Sequence, residues 1–527
     1  VSVRLGHIKR GERIASVGRG VQFFAPPLLV DPRFSSESIG VLVRGQEVVA
    51  RPGVTRFPTV AQSLGNVPLS GSLHVRVNNN LHTVVATKTK LWYESAGAWV
   101  DGQHTTAFTG TDGDPFGFAT VFGDLYMSNG VDKIWKWRSP TDDLGNGVGK
   151  NIEVATSFPS RFLAPFANRL FAAYTIEGGV HVSDRLRWCA SGNTAVWDAI
   201  TNLTAGRLDT VDHPGPITGI YPFNNFLAVL KRDSILRLFE TGQLTPSFIL
   251  QEGCSEAGCI EGRTLVEVDG LLYFLGRNNV YAWDGVARQP TPIGTSVRTR
   301  LFSELNRSEL RKAFAFYHEL YDEIWFVIPT VAALWPDVAY VYNRIEDAWS
   351  RTPFDATCHV YYPSVVLDDT IDSTTTDGPI DEDSTPIDAT LTGASHFQSL
   401  LGRTSNQLFK LDETTTTDVS TAISKDWRSS DSRFLDEDEL ERLVTVNRVW
   451  LTVRLAGQAP SVEVSISGDG GEAWASCETK VLPGVGVFRV PFSAHITLSQ
   501  ARVRITTTGQ FALIGYSYEY VERAELR

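Results

Sequence analysis

The residues whose types and spacing come nearest to a chemical signature are SGDGGEAW at 467–474. They fit S-x-D-x-G-x-x-W through Ser467, Asp469, Gly471 and Trp474. Two kinds of chemistry could follow. In a glycosidase, one carboxyl acts as acid and a second as base or nucleophile, about 5–9 Å apart across the sugar. In a structural turn, the Ser and Asp side chains bond backbone groups, the glycine permits the bend, and the Trp packs beneath. The motif occurs once, and one copy places no pair of carboxylates. It is read here as a structural turn, with no catalytic residue assigned and no enzymatic activity expected.

Other candidates fail on spacing. GNGVGKN at 145–151 has Leu144 where a phosphate loop needs its first glycine, and Asn151 where it needs Ser or Thr. Cys254 and Cys259 in CSEAGC have no second pair to complete a tetrahedral metal site. Cys358 and His359 are neighbours whose side chains diverge in a strand, so they make no nucleophile–base pair. No cofactor or metal ligand is expected. An acidic run at 367–388 carries Asp368, Asp369, Asp372, Asp377, Asp381, Glu382, Asp383 and Asp388 with no Lys or Arg. It lacks calcium-loop spacing and reads as an exposed insertion.

The elements that must carry these residues are strands. Short alternating runs broken by Gly, Asn and Asp recur at 82–99, 123–138, 168–188, 224–239, 270–285, 322–350 and, more weakly, 402–412. A repeat of about 40–50 residues with strand–turn–strand units is the period of propeller blades. One small sheet cannot bury both faces, whereas a ring of sheets can. A large β-sandwich is the alternative arrangement of the same hairpins. Only 295–318, with Leu301, Leu305 and Leu310, reads as one or two short helices. Period-two alternation over 446–523 predicts five or six strands of a sandwich. The expected fold is therefore all-β: a β-rich N-terminal platform at 1–80, a β-propeller-like region at 81–430 with the acidic insertion inside it, and an immunoglobulin-like β-sandwich at 431–527.

Composition narrows the function. The chain has 527 residues and a net charge of −12, with no basic stripe to grip phosphates. Five scattered cysteines argue against a disulfide framework. The first twenty residues contain no apolar signal core, and no apolar run reaches the ~20 residues of a membrane helix, so membrane insertion is not expected.

The 467–474 motif resembles the Asp box of sialidases and other propeller hydrolases. The order of pieces carries a different resemblance. GVLVRGQEVVARPGVTRF at 40–57 precedes the blade-like hairpins. VSDRLRWCASGNTAVWD, GLLYFLGRNNVYAWDG, RKAFAFYHELYDEIWFVIP and AYVYNRIEDAWSR follow, and a sandwich ends the chain. This arrangement resembles the tail nozzle (tail tubular protein B-like) proteins of short-tailed bacteriophages. The resemblance implies a structural virion protein, assembled in the host cytoplasm into the tail. It implies a homohexameric ring below the portal and a tail adaptor, contacts with tail spikes or fibres, and a needle or plug below. Viral DNA would pass through the lumen without specific binding, and the charge of −12 per subunit predicts a net-negative wall. The alternatives are a carbohydrate-active propeller enzyme and a cellular propeller scaffold.

Overall fold

The computed structural model describes residues 8–10, 14–15, 17–23, 34–57, 64, 68–77, 80–95, 98–244, 246–363, 397–405, 407–434, 443–455 and 459–522. Tight turns set its strand pairing. Between Val121 and Asp124 the turn is Phe122–Gly123, with φ of 53° and 78°. Between Val268 and Leu271 it is Asp269–Gly270, with φ of 50° and 73°. Two successive left-handed residues match the twist of the strands they join, and Gly and Asp tolerate that region.

Six four-stranded antiparallel sheets follow one another at 69–101, 117–153, 160–209, 217–254, 266–292 and 314–353. They are blades 1 to 6. Blade 7 takes three strands from Cys358–Pro363, Phe397–Gly402 and Leu408–Asp412. Its fourth strand is Gly53–Phe57, which lies ahead of blade 1 in sequence and pairs antiparallel with Leu408–Asp412. The seven hairpins read from the sequence supply the middle strands of these seven sheets.

Each sheet has two apolar faces, and the burial pattern places a core between every consecutive pair. Val84 packs with Trp135 between blades 1 and 2. Tyr126 with Leu170, Phe171 with Val229, Phe274 with Leu230 and Tyr273 with Tyr342 continue around. Trp325 with Phe409 joins blades 6 and 7. Leu69 and Val85 of blade 1 then meet Cys358 and Leu408 of blade 7. This last cluster closes the circle, so the sheets form a seven-bladed β-propeller locked by an N-terminal strand.

The second unit is a β-sandwich. One sheet runs Val41–Arg44, Glu47–Ala50, Ala512–Glu522, Val444–Leu455, Gly486–Leu498. Ile8–Arg10 and Ile14–Ala15 also pair with Ala512–Glu522. The other sheet runs Ser35–Ile39, Lys425–Ser429, Gln500–Thr507, Ser461–Ser467, Ala475–Val481. Val41 and Val48 share its core with Leu451, Val464, Ile505 and Tyr516.

The all-β architecture stands, with two revisions in detail. Strand pairing cuts across the expected platform at 1–80. Residues 35–50 complete the sandwich, 53–57 close the propeller and 69–77 begin blade 1. The six strands of 444–522 leave apolar surface that Val41 and Val48 cover. The helical stretch is also shorter than expected. Helix Arg298–Glu304 and the 3-10 turn Arg307–Lys312 bury Leu301 and part of Leu310, but Phe314–His318 is a strand. Its buried residues alternate (Phe314, Phe316, His318) at period two, which outweighs the leucine spacing before it.

A titratable ring sits between blades 6 and 7. His359 stacks on Phe316 at 4.3 Å between centroids and 9° between planes, and its Nε2 has no hydrogen-bond partner. Burial, with a smaller push from nearby His318, drives His359 from the ordinary 6.5 to about 3. The unfolded chain therefore takes up a proton near pH 6.5 that the folded chain refuses until about pH 3. Stability should fall as pH drops through that window, and His359→Gln should flatten the slope. Urea midpoints measured from pH 7 to 4 on both proteins check this.

Candidate functional site

The 467–474 segment is the connection between Ser461–Ser467 and Ala475–Val481 in the sandwich. Its bonding is that of a side-chain-stapled turn. Ser467 Oγ accepts from Gly471 N at 2.9 Å and donates to Asp469 Oδ1 at 2.6 Å. Asp469 also accepts from Ala473 N at 3.0 Å. The Ser467 hydroxyl and the Ala473 N–H hold the Asp469 carboxyl below its ordinary range. Gly471 sits at φ 95°, and a Cβ there would come within 2.5 Å of Arg502 Nη1.

Trp474 departs from expectation. It is half-buried and lies outside the apolar core. Three guanidinium groups surround it instead: Arg428 and Arg502 at 5.8 Å from the ring centroid and Arg504 at 6.0 Å. Arg502 reaches back to the turn, donating to Gly470 O at 2.8 Å. Arg428 and Arg504 share the carboxylate of Asp426. The strands at 425–429 and 500–507 run side by side with Arg428 opposite Arg504, so alternation puts these residues on one face. Trp474→Ala should cost less than about 3 kcal/mol, below the range for a fully buried Trp. Asp469→Ala should loosen the same hairpin. Thermal unfolding of both variants checks this, together with proteolysis at 468–473.

The other sequence candidates are structural in their surroundings. Cys254 and Cys259 are buried thiols whose Sγ atoms donate to Ala257 O and Glu261 O, each at 3.0 Å. Burial pushes Cys259 up to about 12. Cys358 bonds Ser72 while His359 faces Phe316, so the neighbours do diverge. In the 145–151 turn, Asp143 Oδ1 accepts from Gly145 N and Gly147 N, and Lys150 Nζ donates to Asp101 O. The acidic residues from Asp368 to Asp388 lie outside the described residues. Among the described residues there is no group of three or more His, Cys, Asp or Glu that could hold a metal, and no helix long and apolar enough to cross a membrane.

A polar site absent from the sequence reading lies at one mouth of the propeller. Innermost strands begin there, and the segments leading into them converge on the axis. Gly262 packs its Cα against blade 4, where a Cβ would meet Thr218 O at 2.5 Å. That close approach places Glu261 and Arg263. Arg161 of blade 3 donates to Glu261 Oε2 at 2.6 Å across to the lead-in of blade 5. Arg263 donates to Thr357 O at 3.3 Å, before blade 7. Arg311, before blade 6, lies 3.6 Å from Asp114, before blade 2. These contacts join blades that are not neighbours in the ring. Glu261 is 3% exposed, its Oε1 has no hydrogen-bond partner, and burial pushes its carboxyl up against the pull of Arg161.

Beside them, Tyr174 stands at φ 56°, in a bulge between Ala173 and Thr175. A bulky residue in that region is strained, and such strain gathers at functional sites. Its ring faces the Arg161 guanidinium at 5.9 Å and His181 at 6.3 Å. No sequence motif announces this site, because its residues are spread from 114 to 357. Lone arginines at or just ahead of the start of an inner strand were the available signal.

No family profile matches the chain, and no curated relative does. Among solved structures, the exo-β-1,3-galactanase of Phanerochaete chrysosporium, with galactose, aligns at 9% identity and a TM-score of 0.25. That alignment covers 89% of this chain and 100% of the galactanase. BBS1N in complex with ARL6DN aligns at 11% identity and a TM-score of 0.34, over 69% of this chain and 99% of that one.

Proposed function

We propose that the chain is a structural ring subunit, a tail nozzle of a short-tailed bacteriophage, through which the genome leaves the capsid. The observation that carries this reading is a pair of exposed apolar features on opposite sides of the propeller. Ile200 is 95% exposed and Leu203 64%, both in the loop between the third and fourth strands of blade 3. On the other side a groove of about 890 Å³ runs between the sandwich and blades 6 and 7. Val485 and Val487 line it at 75% and 62% exposure, with Tyr321 and Phe511. Seven blades are spaced about 51° apart, so the two features stand three to four steps apart. Both lie on the propeller face that carries the sandwich. Distinct patches at opposite poles suit a head-to-tail contact, which closes into a ring when the rotation allows.

The propeller, 53–422, is inserted within the sandwich and joined to it by two chain crossings, near 50–53 and 422–425, which suits a part under tension. Mass photometry and negative-stain microscopy of the purified protein, alone and with its adaptor, test the reading. Six-fold rings are expected, with weak binding to duplex DNA. A chain that stays monomeric with the adaptor present and hydrolyses fluorogenic glycosides would establish the carbohydrate-active alternative instead. A stable monomer without hydrolysis would favour the cellular scaffold.

A further inference from the structure

We propose that the blade mouth around Arg161 and Arg311 is a binding site for a carboxylate, presented on a flexible stem such as an acidic side chain. The first argument is unmet bonding capacity. Arg161 uses Nη2 on Glu261. Arg311 is half-exposed, and its contact with Asp114 at 3.6 Å is longer than a hydrogen bond. Asp114 already accepts from Thr111 N at 2.9 Å and Thr111 Oγ1 at 2.6 Å. A planar fork with open N–H groups pairs best with a two-oxygen anion.

Charge gives the second argument. Arg161, Arg263 and Arg311 stand against Glu261 and Asp114. One positive charge is left over, and one incoming carboxylate neutralises it. Its Coulomb attraction would be strengthened by the low-dielectric walls of the blades.

Size gives the third. The cleft lined by Asp114, Asn129, Arg161, Tyr174, His181 and Arg311 holds about 30 Å³. So small a cleft favours a planar two-oxygen anion over a bulkier tetrahedral one. The strained Tyr174 closes one wall, with His181 beside it.

Titration calorimetry of the full chain with acetate, with inorganic phosphate and with a short peptide bearing one glutamate tests the site. Acetate should bind saturably, and phosphate at least tenfold more weakly. Arg311→Gln, at a half-exposed side chain, should fold normally and lose at least tenfold in acetate affinity. Asp114→Asn should bind acetate several-fold more tightly, because it frees Arg311. A merely structural role for this ion pair would not produce that gain. A peptide binding well above acetate would mark a protein partner, and equal affinities would mark a free small carboxylate. Either result keeps the site. No saturable acetate binding, unchanged affinity in Arg311→Gln, or preference for phosphate would overturn it.

Discussion

Val54→Asp is expected to unfold the propeller, with a loss of more than about 4 kcal/mol. Val54 is fully buried on the strand Gly53–Phe57 that closes blade 7. It packs with Trp325 of blade 6 and with Phe409 and Leu411 of blade 7. Its carbonyl accepts from Val419 N at 2.9 Å, and Leu411 lies opposite it in the ladder. A carboxylate there must be desolvated among apolar side chains. The alternative is for the strand to leave, which strips blade 7 of its fourth strand and exposes the core between blades 6 and 7. Arg56 is on the same strand, two residues on and exposed. Arg56→Asp carries a larger change in charge, yet should shift stability by no more than about 0.5 kcal/mol. Urea unfolding of the two variants separates loss of closure from loss of charge balance. Equal midpoints for Val54→Asp and wild type would mean that the ring does not depend on this strand.

This closing strand also marks where sequence reading stops. The seven hairpins were legible because each is local: a turn residue of special φ flanked by alternating strands. Which strand completes the last blade is a pairing between residues about 355 positions apart, and no periodicity records it. GVLVRGQEVVARPGVTRF looks like an ordinary pair of hairpins, although its first half belongs to the sandwich and its second to the propeller. The 467–474 turn was legible for the same reason as the hairpins, since its bonds span at most four residues. The surroundings of Trp474 were not, because the three arginines near it come from strands far away in sequence. The mouth site is the extreme case. Arg161, Glu261 and Arg311 mean nothing until the ring brings blades 3, 5 and 6 to one axis.

Arg44→Ala should cost about 3–5 kcal/mol, the range for removing one partner of a buried ion pair. Arg44 ends the sandwich strand Val41–Arg44 and points into the propeller. Its Nε meets Glu323 Oε1 of blade 6 at 2.7 Å, and its Nη1 meets Glu413 Oε2 beside blade 7 at 2.8 Å. The guanidinium lies 3.5 Å over the Tyr321 ring. Glu323 has no exposed side-chain surface, and beyond Arg44 its side chain accepts from Trp325 Nε1 at 3.1 Å. Without Arg44 an anion is left buried and uncompensated. Burial raises the Glu413 carboxyl, but the His318 hydrogen bond and the Arg44 charge outweigh it and hold the group below 4.5. That depressed carboxyl stabilises the fold above pH 4.5 and ceases to as pH falls below it. In Arg44→Ala the acid limb of the stability curve should therefore flatten while the plateau near pH 7 drops. Glu323→Gln added to Arg44→Ala should recover part of the loss, because the neutral amide needs no cation. Arg44→Lys should recover less than its charge implies, since a lysine cannot serve both carboxylates with a planar fork. The two units are expected to come apart first at this junction, with protease cleavage near 51–53 and 423–425 ahead of cuts within the blades. If Arg44→Ala unfolds at the wild-type urea midpoint, the ion pair is not what couples the sandwich to the ring, and the remaining contacts of residues 35–50 with blade 6, such as Val43 N donating to Ser350 Oγ at 3.1 Å, must carry the coupling.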